Sequence, residues 1–423
     1  MAVKHVCVLG LGYVGLPTAA VLASRGIQVT GVDTNPSTVE SIKNGKPHIV
    51  EPDLDMIVHG AVSAGKLTAS ASPVTADAFI LAVPTPFDAD RKPDLKHLHA
   101  ATHAIAEFLK AGDLVIVEST VPVGATAQVG AWLADARPDL KMPSSDAPSA
   151  DHDICISHSP ERVLPGQVLL ELVRNDRVIG GLGHDCAQKT ADLYGSFVEG
   201  EMHLTNAQTA ELVKLSENAY RDVNIAFANE LANVAEPLGI DIRAVVALAN
   251  RHPRVNILNP GPGVGGHCIA VDPWFIVATD PDNTPLIRTA RNVNDSRPAV
   301  IADQIANLPN AKSGGVIACL GLSYKADIDD LRESPSIHVI EELRKRVDNH
   351  ILLVEPHVSI LPASLDHLEN VSLVSLEECL NDATVLALLT DHRAFGAISN
   401  DILKTKDILD TRGVWPHGIS TDS

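Results

Sequence analysis

Residues 261 to 273, GPGVGGHCIAVDP, set one cysteine, Cys268, behind four glycines in a chain that has only six cysteines. A thiolate is a nucleophile for carbonyl carbon, and glycines allow backbone approaches that side chains would block. Four residues on, Asp272 can order a water or take part in proton transfer. His267 adjoins the cysteine, but adjacent side chains rarely point the same way, so no Cys-His dyad is expected. On its own a loop cysteine is as well read as a small buried hydrophobe, and both readings stand at this point.

Lys214 and Asn218 are spaced to share one face of a helix, with Arg221 a turn further along the same stripe. A cation and an amide so placed can hold a developing oxyanion, or can be an ordinary solvated face. GLGYVG (Gly10, Gly12, Tyr13, Val14, Gly15) follows a strand-like run and opens a helix, and Asp33 ends the next strand. That context is a dinucleotide fingerprint. The glycines admit a pyrophosphate at the helix N-terminus, and Asp33 can accept from a ribose 2′-hydroxyl, which favours NAD over NADP. AVPTP, with Pro84 and Thr85, and VESTVPVG, with Thr120, fall where further strands exit, and Thr120 can face a nicotinamide; a plain strand-to-loop exit is the alternative.

The elements that must position these residues are legible as a rhythm. HVCVLG, QVTGVD, AFILAV and LVIVES alternate with helical patterns, as in a parallel sheet covered on both faces. Residues 137 to 153 are rich in Pro, Ser and Asp, which reads as an exposed loop before the strand ICISHS. Leu212, Leu215, Ala219, Val223, Phe227, Leu231, Val234 and Leu238 then recur at helical spacing, which predicts one long helix able to bridge domains and offer a dimer face. GGVIACLG, HILLVEP, TVLALLT and DILDT repeat the first rhythm. The expected fold class is α/β, two Rossmann-like doubly wound domains joined by a long central helix, divided as 1–203 (NAD binding), 204–308 (central helical part with the cysteine loop) and 309–423 (the second α/β domain).

Composition narrows the partners. A formal charge of -20 opposes nonspecific binding to nucleic acid or to anionic membranes, so an anionic ligand must meet local basic groups. The apolar stretch 6–23 has a membrane-span length, but its glycines and proline, and the strand that follows, exclude that reading. The cysteines have no C-x-x-C or other paired spacing, and no His/Cys cluster sits at ligand spacing, so neither disulfides nor a metal is expected; a reducing cytoplasm is.

GLGYVGLP, VPTP, EST-PVG, SPERVLPGQ, AELVKLSENAYRDVNIAFANEL, GPGVGGHCIAVDPWF and LGLSYKADIDDLRESP, in this order, resemble the UDP-glucose/GDP-mannose dehydrogenase family over essentially the whole chain. Within it the motifs look most like the branch acting on UDP-N-acetyl-D-mannosamine. The resemblance implies oxidation of a C6 alcohol to a carboxylate with two NAD in succession, Cys268 carrying a thiohemiacetal and then a thioester. It implies Lys214 and Asn218 at the oxyanion, Asp272 and Thr120 in water and proton traffic, and Glu161 assisting thioester hydrolysis. Glu161, Arg162, Val163, Lys214, Asn218, Gly265 and Lys325 would line the sugar nucleotide, Arg332 the dinucleotide phosphates, and Arg254 would reach across the interface of a homodimer. Val271 stands where the UDP-glucose branch has Lys, which weakens that substrate. The same chemistry on UDP-N-acetylglucosamine or UDP-glucose, and an inactive NAD-binding scaffold, are the alternatives; a scaffold has no need of Cys268, Lys214, Asn218 and Asp272 together.

Overall fold

The computed structural model describes residues 3–49, 51–88, 90–144, 151–163, 166–266 and 269–415. By compactness the chain forms two units, Met1–Glu217 with Trp274–Pro281, and Asn218–Pro273 with Asp282–Ser423.

The first unit is built on eight strands: β1 (His5–Leu9), β2 (Gln28–Val32), β3 (Leu67–Ser70), β4 (Ala78–Leu81), β5 (Leu114–Val117), β6 (Cys155–His158), β7 (Arg177–Gly181) and β8 (Met202–Asn206). Their order is β3-β2-β1-β4-β5-β6-β7-β8, and every neighbouring pair is parallel except β6 with β7. The central strands β4 (AFIL) and β5 (LVIV), and β1 after His5, are apolar without interruption because both faces are covered. Val6, Val8, Ile80 and Ile116 enter one core cluster, while the alternating Cys7, Leu9, Phe79, Leu81 and Val117 enter another. The stretch 6–23 that has a membrane-span length is β1, a turn and the helix Gly15–Ser24, and among the described residues no helix is long and apolar enough to cross a membrane.

The second unit holds a five-stranded parallel sheet of β9 (Ile317–Leu320), β10 (Ile351–Val354), β11 (Val371–Leu373), β12 (Val385–Leu388) and β13 (Asp407–Asp410), in the order β11-β10-β9-β12-β13. Alternation again splits its residues between two clusters, Ile317, Cys319 and Leu353 on one face, Ala318, Leu320 and Leu352 on the other. The expected α/β class with two doubly wound sheets is present.

The long helix runs Ala207–Ala235 and ends in a 3₁₀ turn at Glu236–Leu238. Its burial differs from the apolar stripe the sequence predicts. Leu215 and Ala219 are buried, but Leu212, Phe227, Val234 and Leu238 are exposed, whereas Glu211, Lys214, Asp222 and Asn229 are buried. Glu211, Asp222 and Asn229 are tolerated inside because they are hydrogen-bonded. The Glu211 carboxylate accepts from Gly124 N at 2.6 Å, Thr126 N at 2.7 Å and Thr126 Oγ1 at 2.6 Å, while Asp222 accepts from Arg291 Nη1 at 2.6 Å.

Candidate active site

In an open parallel sheet, ligands bind beyond the carboxyl ends of the strands where the order reverses, here between β1 and β4. The loop after β1 is shaped by its glycines. Gly10 has φ +90°, and a Cβ on it would lie 2.4 Å from Ala82 O; one on Gly15 would lie 1.9 Å from Gly10 O. At Gly12 a Cβ meets nothing within 4 Å, so this position opens to the approach of a ligand. Asp33 Oδ2 accepts from Leu11 N at 3.0 Å and Oδ1 from Asn35 N at 2.8 Å, which fixes the carboxylate beside the loop. Gly10 N donates to Val32 O at 2.8 Å, closing β2 against the same turn. Tyr13 and Val14 are half-buried, Tyr13 against the core. These residues fit a dinucleotide whose pyrophosphate meets the start of the helix Gly15–Ser24.

The exits of β4 and β5 are tied together. Thr85 Oγ1 donates to Thr120 O at 2.5 Å and Ser119 Oγ to Val83 O at 2.6 Å. Pro84 is exposed, and Thr85 and Thr120 are half-buried.

A charged cluster that the sequence did not announce lies beyond β5, β6 and β7. Glu118 is fully buried; burial pushes its carboxyl up to about 7, although Arg177 and hydrogen bonds from Thr18 Oγ1 (3.3 Å) and Tyr194 Oη (3.2 Å) pull it down. Burial likewise raises Glu161 to about 7 against the cations of Lys214 and Arg177, with the Glu118 charge adding to the rise. Burial holds the His158 imidazole down at about 3, and the Lys214 charge works in the same direction. The first unit thus sets two carboxyls near neutrality beside two buried cations, the arrangement expected of groups that exchange protons with a reacting ligand. Glu118, His158, Arg177 and Tyr194 sit in apolar strand runs or in a helix, where a single sequence offers no signal for them. Val163 packs on the core, and its backbone N–H donates to the Glu161 carboxylate. The Arg162 guanidinium makes a fork with Glu217, Nε at 3.1 Å and Nη2 at 2.6 Å, and Nη1 reaches Asp176 O at 3.3 Å.

The second unit carries the cysteine loop. Cys268 and His267 themselves lie outside the described residues. Gly261 N donates to Asn229 Oδ1 at 2.8 Å, and Gly261 O accepts from Arg297 Nε at 3.1 Å, which pins the loop's start to the long helix and to the helix Pro285–Ala306. The glycines lie flat against residues 324–335. A Cβ on Gly265 would fall 2.6 Å from both Glu333 O and Tyr324 Cβ, and one on Gly266 3.0 Å from the Tyr324 ring. Gly266 N donates to Arg332 O at 3.2 Å. The glycine run therefore exists because this loop is pressed on the segment that contains Lys325 and Arg332. Lys325 is half-buried, and Arg332 forks onto Asp330 through Nε (2.8 Å) and Nη2 (2.6 Å). At the loop's far end, buried Asp272 starts the helix Asp272–Thr279 and accepts from Asn218 Nδ2 at 2.5 Å. Lys214 and Asn218 do stand one turn apart on the long helix, with Lys214 buried, Asn218 half-buried and Arg221 exposed. Arg254 is exposed.

Comparison with known proteins identifies the family. Residues 4–198 match the NAD binding domain of the UDP-glucose/GDP-mannose dehydrogenase family, 208–296 its central domain and 318–417 its UDP binding domain. An NDP-N-acetyl-D-galactosaminuronic acid dehydrogenase of Ralstonia nicotianae is 52% identical over 97% of this chain and 96% of its own. A UDP-N-acetyl-D-mannosamine dehydrogenase of Yersinia pestis is 52% identical over 98% of this chain and 100% of its own. Among solved structures, a UDP-D-ManNAc dehydrogenase from Pyrococcus horikoshii superposes with TM-score 0.87 at 37% identity, covering 98% of this chain and 96% of that one. With all three domains matched in order and half the residues shared over almost the full length, the chain belongs to the UDP-glucose/GDP-mannose dehydrogenase family.

Proposed function

We propose that the protein is an NAD-dependent 6-dehydrogenase of UDP-N-acetyl-D-mannosamine that makes the corresponding uronate. The carrying observation is the conjunction of a dinucleotide turn with Asp33 at its rim and a glycine loop that leads through Cys268 to the Asn218–Asp272 pair. Segments 1–203, 204–308 and 309–423 divide the labour as NAD binding, catalysis with dimerisation, and sugar-nucleotide binding.

NAD supplies a hydride acceptor, once for the alcohol and once more, as a second molecule, for the aldehyde level. The rest falls to the chain. The Cys268 thiolate adds to the C6 aldehyde, giving a thiohemiacetal; loss of hydride from that carbon leaves a thioester, and water cleaves it to the carboxylate and the free thiol. Lys214 and Asn218 steady the oxyanion at each tetrahedral stage. Asp272 and Thr120 order protons and water, and Glu161, with its carboxyl near 7, takes the proton of the hydrolytic water. Arg162, Val163, Gly265 and Lys325 shape the sugar-nucleotide site. Arg332 would neutralise the dinucleotide phosphates, as the family resemblance implies.

A homodimer completes the proposal. Tyr220, Phe227 and Val234 are exposed at a seven-residue interval along the long helix, an apolar seam that a second copy would cover, and exposed Arg254 would then reach the partner's site. The biosynthetic reaction suits the cytoplasm. The 52% identity to the Ralstonia nicotianae NDP-N-acetyl-D-galactosaminuronic acid dehydrogenase favours a second reading, a galacto-configured N-acetylhexosamine as substrate.

The test is NADH formed per sugar nucleotide consumed, run to exhaustion on UDP-N-acetylmannosamine, UDP-N-acetylgalactosamine, UDP-N-acetylglucosamine and UDP-glucose. Two per molecule on UDP-N-acetylmannosamine is expected. One would mean release of an aldehyde and a bystander Cys268, and none on any would leave the scaffold reading.

A further inference from the structure

Away from the dinucleotide and sugar chemistry, at the amino-terminal end of β6, four side chains from separate parts of the first unit converge. Their ligand atoms, one each from His152, Cys155, Asp185 and Cys186, lie within 4.8 Å of one another. His152 Nε2 is 3.7 Å from Cys155 Sγ, 3.6 Å from Cys186 Sγ and 3.0 Å from Asp185 Oδ2. Three electron-rich atoms thus surround one ring nitrogen, which carries at most one proton and can serve only one of them well. A cation at the centre of the four serves all.

The two sulfur–nitrogen distances fit a particular ion, and the nitrogen–oxygen distance is shorter than that ion's edge. With zinc–sulfur bonds of about 2.3 Å and zinc–nitrogen and zinc–oxygen bonds of about 2.0–2.2 Å, a tetrahedron has sulfur–nitrogen edges of about 3.6 Å and nitrogen–oxygen edges of about 3.4 Å. Two thiolates with an imidazole select zinc over magnesium or calcium. The setting matches a structural site, with Cys186 fully buried, Cys155 9% exposed and the His152 side chain 4% exposed, and only Asp185 open to solvent. Room for the cluster is kept by Gly183, where a Cβ would lie 2.8 Å from Asp185 Oδ1, 3.6 Å from Cys186 Sγ and 3.8 Å from His152 Cε1.

We propose that His152, Cys155, Asp185 and Cys186 bind one zinc ion that clamps the segment entering β6 to the start of the helix His184–Tyr194. It closes the sheet where β6 meets its antiparallel neighbour β7, at the end of β6 opposite His158 and Glu161. Four protein ligands leave no open position for substrate, so the ion is structural. The sequence gives no hint of it, since H-x-x-C and D-C are brought together only by the fold.

The test uses the full chain, reduced and freed of metal, titrated with cobalt and then zinc. One cobalt per chain with the intense visible bands and thiolate charge-transfer absorption of a tetrahedral sulfur-ligated ion, displaced by zinc, is expected. Cys155→Ser and Cys186→Ser should each abolish the charge-transfer band of their sulfur and weaken zinc by more than the 10–100-fold typical of losing a group one shell further out. Should the serine variants not fold, the solvent-facing Asp185→Asn keeps the test readable: at least about tenfold weaker zinc binding, with NADH production unchanged. No uptake by the reduced wild-type chain, a Cys155–Cys186 disulfide that shows no uptake after reduction, or equal zinc affinity in wild type, the Cys155→Ser, Cys186→Ser double variant and Asp185→Asn would each overturn the proposal.

Discussion

Asn218 Nδ2 donates to Asp272 Oδ2 at 2.5 Å, joining the long helix to the far end of the cysteine loop. A charge-assisted bond to a carboxylate that is 2% exposed aligns the amide as much as the acid. We expect Asp272→Asn to lower kcat about 10²–10³-fold, the scale seen when one preorganised polar group is lost from an acyl-transfer site. NADH binding, read by fluorescence, should stay within about twofold, since the dinucleotide turn belongs to the other unit. Equal loss of both would mean that the pair only holds the fold together.

The Glu161 carboxyl near 7 gives a pH dependence with a definite sign. The group is ionised above that value, and a base for the hydrolytic water must be ionised, so kcat should rise with pH through about 7. Glu161→Gln should flatten the limb and let an acylated protein accumulate, detectable by mass. Glu118 contributes to the rise of Glu161 through its own charge, so Glu118→Gln should move the limb to lower pH without removing it. An unmoved limb in both variants would assign it to another group.

Gly10, Gly15, Gly265 and Gly266 were legible because a backbone that passes within van der Waals reach of Ala82 or Tyr324 leaves room for no Cβ, and the residue type alone records it. Asn218 and Asp272 were each legible from their spacing, but their pairing was not, since 54 residues separate them. The inner face of the long helix was not, since apolar periodicity marks the wrong side when Glu211, Asp222 and Asn229 are buried with partners far along the chain. The charged cluster at Glu118, His158 and Arg177 was hidden for a related reason. Strands covered on both faces read as apolar runs, and a charge at their exit looks like a loop residue.

Asp33 accepts from Leu11 N through Oδ2 and from Asn35 N through Oδ1, so Asn, with one amide oxygen, keeps one of the two bonds. Asp33→Asn should therefore loosen the turn by one hydrogen bond and lose the negative charge that repels a 2′-phosphate. The ratio of kcat/KM for NAD over NADP is expected to fall about tenfold, equivalent to about 1.4 kcal/mol. An unaltered ratio would place the discriminating group elsewhere.

Glu211 offers a stability test independent of catalysis. Three donors converge on its two oxygens, from Gly124 N, Thr126 N and Thr126 Oγ1, so its carboxylate caps the helix Ala125–Ala136 from a distance. Gln has one acceptor oxygen, and its NH₂ would face a donor in a site with no exposure. Leaving a buried donor unmatched costs about 1.5–3 kcal/mol where the lost partner was charged. Glu211→Gln should lower the unfolding free energy by that amount in a urea titration, with the slope unchanged, because the surface exposed on unfolding is the same. Glu211→Leu, which removes every acceptor, should cost more than Gln. A smaller loss for Leu would show that packing, rather than these hydrogen bonds, is what the helix takes from Glu211.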